Sequence, residues 1–134
     1  MITVKTVVNA PVQKVWEKWA NPEDIIQWNN ASEDWHTPHA TNDLREGGRF
    51  SSRMESKDGS MGFDFSGTYQ KVNKNELIEY TIDDGRKVKV VFSGDGDSTK
   101  VTESFEAESE NSEEMQRGGW QSILNNFKKY VESK

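Results

Sequence analysis

Residues 77–105 read LIEYTIDDGRKVKVVFSGDGDSTKVTESF, and this stretch decides the fold of the chain. Apolar side chains occupy every second position in three runs within it, which is the period of a half-buried β-strand. Asp84-Gly85 and the run 94–97 separate these runs and are typical of tight hairpin turns. Three strands joined by short turns predict an antiparallel meander.

The sequence before this stretch predicts more strands and two short helices. Residues 2–8 alternate, and further alternating sets are Phe50 with Met54, and Phe63 with Phe65 and Tyr69. Pro11 and Asn21-Pro22 each mark a helix start, because proline is tolerated in the first turn. Residues 28–45 show no period, which predicts a long loop or lid with at most one short strand near its end.

The sequence after residue 105 predicts one long helix. Asn111 and Glu114 resemble a capping box, and Gly118-Gly119 would permit a bend or a close approach to the sheet. The apolar stripe of this helix comprises Met115, Trp120, Ile123, Leu124, Phe127 and Val131. We therefore predict an α+β fold, with a curved antiparallel sheet of six to seven strands around a long C-terminal helix, as one domain over residues 1–134.

Composition excludes several classes of function. The net charge of −6 argues against nucleic acid and against an anionic membrane as partners, because both attract clustered Lys and Arg. The absence of cysteine excludes disulfides, thiol catalysis and thiolate zinc sites. The N-terminal residues show no signal region, and no apolar run approaches the roughly 20 residues of a membrane span. We expect a cytoplasmic protein, monomeric or weakly dimeric.

The chain resembles a known superfamily in a series of short segments. These are Ala10-Pro11 with Val15-Trp16, Asn21-Pro22 through Trp28, Gly47-Gly48 with Phe50 and Met54, Gly67-Thr68-Tyr69, Leu77 to Tyr80, Thr99 to Phe105, and Gly119-Trp120 with Leu124. In their order and spacing the chain resembles the START-like (SRPBCC) helix-grip superfamily. It resembles most the family named for the C-terminal domain of the activator of heat shock protein 90 ATPase.

This resemblance implies a helix-grip fold with a cavity between sheet and helix that accepts an apolar or aromatic molecule. The family name also implies a chaperone as a partner and a place in the stress response. Folds of this kind host unrelated activities, so the resemblance specifies the fold more closely than the function.

Glu103 is the most informative residue inside the predicted cavity. If Val101 and Phe105 face the core, Glu103 does too, because side chains alternate along a strand. A buried carboxylate needs a partner or stays protonated, and here it could bind a ligand hydroxyl or act as a general base. The alternatives are a solvated strand end or a structural ion pair with Arg or Lys.

The other candidate cavity residues come from the inward-facing positions of the predicted strands and from the predicted loop over residues 28–45. Trp28 and Trp35 either form a lid or plug the edge of the core, and the small residues Ser52 and Gly67 leave volume between large neighbours. The predicted cavity residues are Trp28, Trp35, His36, Phe50, Ser52, Met54, Phe63, Phe65, Tyr80, Val90, Glu103, Trp120 and Leu124.

We predict no metal, no cofactor and no catalytic residue. His36 and His39 are the only histidines, and they complete no recognised ligand pattern.

The leading hypothesis is non-catalytic binding of a small hydrophobic or aromatic molecule. The alternatives are a chaperone-associated interaction protein and a cyclase- or hydrolase-type enzyme that uses Glu103. A co-purifying ligand, recovery of the chaperone, and turnover lost in Glu103→Gln would favour the three in that order.

Overall fold

A curled, antiparallel sheet of seven strands forms the body of the protein in the computed structural model, which describes residues 1–134. The strand order is β1-β7-β6-β5-β4-β3-β2, and a C-terminal helix packs in its curl. The elements are β1 Ile2–Val8, α1 Val12–Ala20, α2 Pro22–Trp28, β2 Trp35–Asn42, β3 Arg49–Ser56, β4 Gly62–Asn73, β5 Leu77–Ile82, β6 Lys87–Asp95, β7 Ser98–Phe105 and α3 Glu113–Glu132. The predicted helix-grip α+β fold is confirmed.

The central meander has the register that the alternating runs predict. Tyr80 of β5 lies opposite Val88 of β6, and Val90 of β6 lies opposite Glu103 of β7. All four side chains are buried on the concave face of the sheet. Gly85, with φ of +97°, makes the turn between β5 and β6 in a conformation that residues with a Cβ rarely adopt.

Strand β2 corrects the prediction of a long loop over residues 28–45. It spans eight residues, whereas the sequence indicated at most one short strand. Its inward residue Thr37 is polar and buried, and His36 and His39 are exposed, so no apolar alternation marks the strand. Pro38 is tolerated because β2 is an edge strand, and the register shifts between His36 and His39.

The start of α3 differs from the predicted cap by one residue. Ser112, not Asn111, is the N-cap, and its hydroxyl accepts a hydrogen bond from the backbone N–H of Met115 at 3.1 Å. Asn111 instead donates to the Glu108 carboxylate from its backbone N–H and its side chain. The helix therefore begins at Glu113.

The apolar stripe of α3 is shorter than predicted. Leu124, Phe127 and Val131 are buried in the core, whereas Met115 is 68% exposed and lies outside the stripe. The Gly118-Gly119 pair lies within the continuous helix, and no atom stands within 4 Å of where a Cβ would lie at either glycine. These glycines therefore do not permit a close approach to the sheet.

An aromatic cluster fills the end of the curl where the three helices meet. The ring of Phe127 lies edge-on to Trp19 and Trp28, with centroids 5.0 and 4.8 Å apart. Trp19 also meets Phe92 of β6 at 5.6 Å. This end of the concave face is closed by side chains. None of the helices combines the length and the apolar character that crossing a membrane requires.

We expect Leu124→Ala to reduce the free energy of unfolding by about 2–5 kcal/mol, because it leaves a cavity in a packed core. Leu124 is 1% exposed. Urea denaturation measures the change, and the exposed Lys129→Ala on the same helix is the control. A loss below about 0.5 kcal/mol would show that the stripe is not packed.

We expect Gly118→Ala to raise the free energy of unfolding by about 1 kcal/mol. Gly118 is exposed in mid-helix with open space at its Cβ position, and alanine has the higher helix propensity. The same urea experiment measures it, and a destabilised variant would mean that α3 requires glycine here.

Candidate functional site

A cavity of about 330 Å³ lies between the concave face of the sheet and the N-terminal half of α3. Twenty residues line it, and eleven of these are hydrophobic. Strands β3, β4 and β5 contribute one wall, and Gln116, Trp120 and Ile123 contribute the wall of α3. These three positions share one helix face because they are separated by four and three residues.

Most of the predicted cavity residues come together here. The nine that line the cavity are Trp28, Phe50, Ser52, Met54, Phe63, Phe65, Tyr80, Glu103 and Trp120. Phe63 is 48% exposed, so it lies at the rim, whereas Phe50 and Ser52 are buried. The strand residues among the nine lie on one side of the sheet because alternate side chains of each strand point toward the helix.

The other four predicted residues lie outside the cavity lining. Val90 and Leu124 are in the packed core. Trp35 is half-buried near the start of β2, with its ring 6.0 Å from that of Phe63. His36 is exposed, and its Nε2 lies 3.8 Å from a Glu55 carboxylate oxygen.

Trp28 both closes the core edge and contributes to the cavity wall. Its indole Nε1–H donates to the backbone carbonyl of Lys18 at 3.1 Å, which satisfies the one polar atom of the ring. Its ring packs against Trp19 and Phe127. These contacts hold the Trp28 side chain in place at the edge of the core.

The remaining lining residues were not among the predicted cavity residues. They are Trp19, Ile25, Asn29, Thr41, Asn42, Tyr69, Arg86, Glu108, Asn111, Gln116 and Ile123. The sequence does indicate that Trp19, Tyr69 and Ile123 face inward, because each lies at an apolar position of the periodic pattern of its helix or strand. The polar ones come from the ends of elements and from connecting segments, where no period predicts which way a side chain faces.

Gly67 does not leave the empty volume predicted for it. A Cβ at Gly67 would lie 2.5 Å from the carbonyl oxygen of Thr81 and 2.8 Å from the Phe50 ring. The glycine is needed for the close approach of that ring. The free volume lies instead beside Ser52, which is buried and lines the cavity.

Two polar arrangements hold the walls in place. The Tyr69 hydroxyl donates to Asn42 Oδ1 at 2.6 Å, and Asn42 Nδ2 donates to the Ala20 carbonyl at 2.7 Å. Burial is the main cause that raises the pKa of the Tyr69 hydroxyl above its usual range, so it stays a neutral donor. This chain of bonds ties β4 and β2 to the end of α1.

The second arrangement centres on Gln116, which is buried. Its Oε1 accepts the backbone N–H of Glu108 at 2.8 Å, and its Nε2 donates to the carbonyls of Glu108 and Asn111. One amide side chain thus holds the segment between β7 and α3 against the helix, and this segment forms one side of the cavity.

Glu103 is the only charged residue of β7 that is buried, and no other group of the protein forms an ion pair with it. It is 6% exposed, its side chain forms no hydrogen bond or salt bridge within the protein, and its carboxyl oxygens are accessible from the cavity that it lines. Burial raises the pKa of its carboxyl from 4.5 to about 8. The Tyr80 hydroxyl also lacks a hydrogen-bond partner, and burial, then the nearby Glu103 charge, raise its pKa.

The cavity can therefore hold an apolar body and offer it two polar groups. At neutral pH the Glu103 carboxyl is protonated, with one donor and remaining acceptor capacity, and Tyr80 can donate or accept. The structure contains no group of three or more His, Asp or Glu side chains placed to hold a metal ion. Arg86, the one cationic lining residue, is paired with Asp84 at 2.8 Å.

Comparison with known proteins relates the chain to one family. Residues 9–132 match the family described as Activator of Hsp90 ATPase homolog 1-like protein. No curated protein matches the chain.

Solved structures agree over nearly the whole length. The AHSA1-like protein of Aeromonas hydrophila is 42% identical, with a TM-score of 0.89 over 98% of this chain and 93% of that one. A protein of Cytophaga hutchinsonii is 53% identical, with a TM-score of 0.85 over 98% and 92%. A protein of Nitrosomonas europaea, 20% identical with a TM-score of 0.85 over 98% and 94%, shares the fold.

We expect Glu103→Gln to stabilise the protein more at pH 8 than at pH 5.5. Between the ordinary pKa of 4.5 and the folded value of about 8, the folded state holds more protons than the unfolded one. Its free energy of unfolding therefore falls as pH rises, by at most about 1.4 kcal/mol per pH unit. Glutamine removes this dependence.

Urea denaturation of both proteins at both pH values measures the difference. Glu79→Gln, on the outer face of β5, controls for the loss of a carboxylate from the sheet. Equal effects of Glu103→Gln at the two pH values would contradict the raised pKa.

Proposed function

This chain belongs to the family of Activator of Hsp90 ATPase homolog 1-like proteins, and within that fold we propose that it binds a small hydrophobic or aromatic molecule without transforming it. The observation that carries the proposal is the cavity between sheet and helix, lined by eleven hydrophobic residues. Ligand sites are typically concave, mostly apolar and roughly 300–1,000 Å³ in volume, with a few polar groups.

The contrast with the rest of the interior supports this proposal. The other end of the concave face is filled by the rings of Trp19, Trp28 and Phe127. Filling the cavity with apolar side chains as well would add burial worth roughly 25 cal/mol per Å². Instead, serine stands at position 52, between Phe50 and Met54 on the same face. A bound apolar molecule would supply the missing contacts.

The non-catalytic part of the proposal rests on the surroundings of Glu103. A general base is oriented by a partner and lies close to a nucleophile or an electrophilic group. Glu103 has no hydrogen-bonded partner, and its neighbours across the sheet are Val4 and Val90. This environment suits a recognition group better than the base of a cyclase or hydrolase.

A chaperone-associated role is the second candidate, and the family description favours it. It would use a surface rather than the cavity. Exposed hydrophobic side chains exist at several places, Met61 and Met115 among them, but the cavity is the feature that is built from buried residues of several elements.

We expect small aromatic compounds to shift the amide resonances of β3 to β5, β7 and residues 115–127 together in an NMR titration. Ser52→Leu should weaken binding tenfold or more without loss of stability, because the new side chain occupies cavity volume. Ser51→Leu is the matched control, since Ser51 faces outward and pairs with Ser66 at 2.7 Å.

Two results would count against the proposal. One is the absence of shifts across a mixed library of lipids, flavonoids and polyketides. The other is equal weakening by the two leucine substitutions, which would place the binding outside the cavity. Either result would leave the chaperone-associated role in front.

A further inference from the structure

The same-face neighbours of Glu103 along β7, and the residues directly opposite it on β1 and β6, are apolar, and Tyr80 is the titratable group whose pKa the Glu103 charge raises. Val101 and Phe105 flank Glu103 on β7, Val4 lies opposite it on β1, and Val90 lies opposite it on β6. All four are buried. The carboxyl group has no partner within the protein, and its oxygens are accessible only from the side of the cavity, where its hydrogen-bonding capacity is unused. Because Glu103 lines the cavity, the missing partner can come from a ligand.

The charges around the cavity favour a positive partner. Arg86 is the one cationic lining residue, and its Nε lies 2.8 Å from Asp84 Oδ2, so the charge of Arg86 is balanced by Asp84. Glu108 adds a second carboxyl group to the lining. A ligand with its own carboxylate would meet the like charge of Glu108 and would hold Glu103 in its protonated form, whereas a cation would favour the ionised form of Glu103.

The aromatic wall favours a cation for a separate reason. Trp120 stacks on Phe105 with ring centroids 4.0 Å apart, and Phe50 meets Tyr80 at 4.9 Å. Trp120, Phe50 and Tyr80 all line the cavity. The faces of aromatic rings attract cations, most strongly where water is excluded. A buried carboxyl group beside aromatic rings is thus a complementary environment for an ammonium group.

We propose that the molecule held in this cavity carries a protonated amine, which donates hydrogen bonds to the Glu103 carboxylate, on a hydrophobic body that contacts the aromatic wall. The inference rests on the proposed function and adds the chemical class of the ligand. A charge-assisted hydrogen bond is roughly twice as strong as a neutral one, so an amine gains more at Glu103 than an alcohol of the same shape.

Proton balance gives this inference a specific signature. With a pKa of about 8, Glu103 is protonated in the empty protein near neutral pH. Binding of an ammonium ion turns the carboxyl into a carboxylate and releases its proton to water. The affinity for an amine therefore rises with pH, by up to tenfold per pH unit below pH 8, and levels off above it. A neutral alcohol releases no proton and shows no such rise.

The test compares naphthylmethylamine, naphthylmethanol and naphthoic acid, which share one hydrophobic body. Titrations followed by NMR and by calorimetry at pH 6, 7 and 8 give their dissociation constants. We expect the amine to bind at least tenfold more tightly than the alcohol at pH 8, and the acid to bind most weakly. The rise in affinity with pH should be confined to the amine.

Glu103→Gln should abolish both the preference for the amine and its pH dependence, and should leave alcohol binding within about threefold. Glu79→Gln on the outer face of β5 is the matched control and should keep both. The wild-type pH series alone tests the inference if Glu103→Gln fails to fold.

The outcomes separate the two proposals. Alcohol binding equal to amine binding at every pH overturns the amine inference and leaves the binding function standing. Retention of the preference for the amine in Glu103→Gln overturns it as well. Failure of all three compounds to bind overturns the amine inference together with the proposed function.

Discussion

The architecture depends on how one helix docks in a sheet that is wider than itself. Helix α3 is fixed to the edge strand β1 by two side-chain bonds. Gln121 donates to the Lys5 carbonyl at 3.1 Å and Lys128 to the Val7 carbonyl at 2.7 Å. Leu124, Phe127 and Val131 pack beneath these contacts. A helix is about 10 Å across, so a helix held at one edge cannot cover all seven strands.

The far side of the concave face is covered by different means at its two ends. At one end, α1 and α2 bring tryptophans against Phe127, and Asn126 donates to the Asn30 carbonyl at 2.8 Å to hold the helices together. At the other end α3 approaches β4 through Trp120, whose ring lies 6.0 Å from that of Phe65. The cavity is the space left there between β3 to β5 and the N-terminal half of α3, and Gln116 keeps its α3 side closed by holding the segment before the helix.

Much of this fold was predictable from local pattern, and the failures have physical reasons. The meander from Leu77 to Phe105 is specified twice, by alternation and by turn residues, so its strands and their inward-facing positions were predictable. Strand β2 carries its buried residue as Thr37 and contains Pro38, since an edge strand is held by hydrogen bonds and by covering helices more than by its own apolar face. Cavity residues on strands followed from phase. Arg86, Glu108 and Asn111 lie in connections whose direction only the folded chain determines.

Glu103 illustrates why a single position can violate the pattern of its strand. The alternation of Thr99, Val101 and Phe105 forces residue 103 inward, where a valine would join Val4 and Val90 in an apolar layer. A carboxyl group there costs free energy of burial relative to valine, and under the proposed function a ligand that supplies its partner would offset this cost. Ligand binding stabilises a protein in proportion to the logarithm of ligand concentration over Kd. Local inconsistencies of this kind concentrate at functional sites, because elsewhere selection for stability would remove them. The side chain that is least suited to an apolar layer thus lies in the wall of the cavity, where the proposed ligand would be bound.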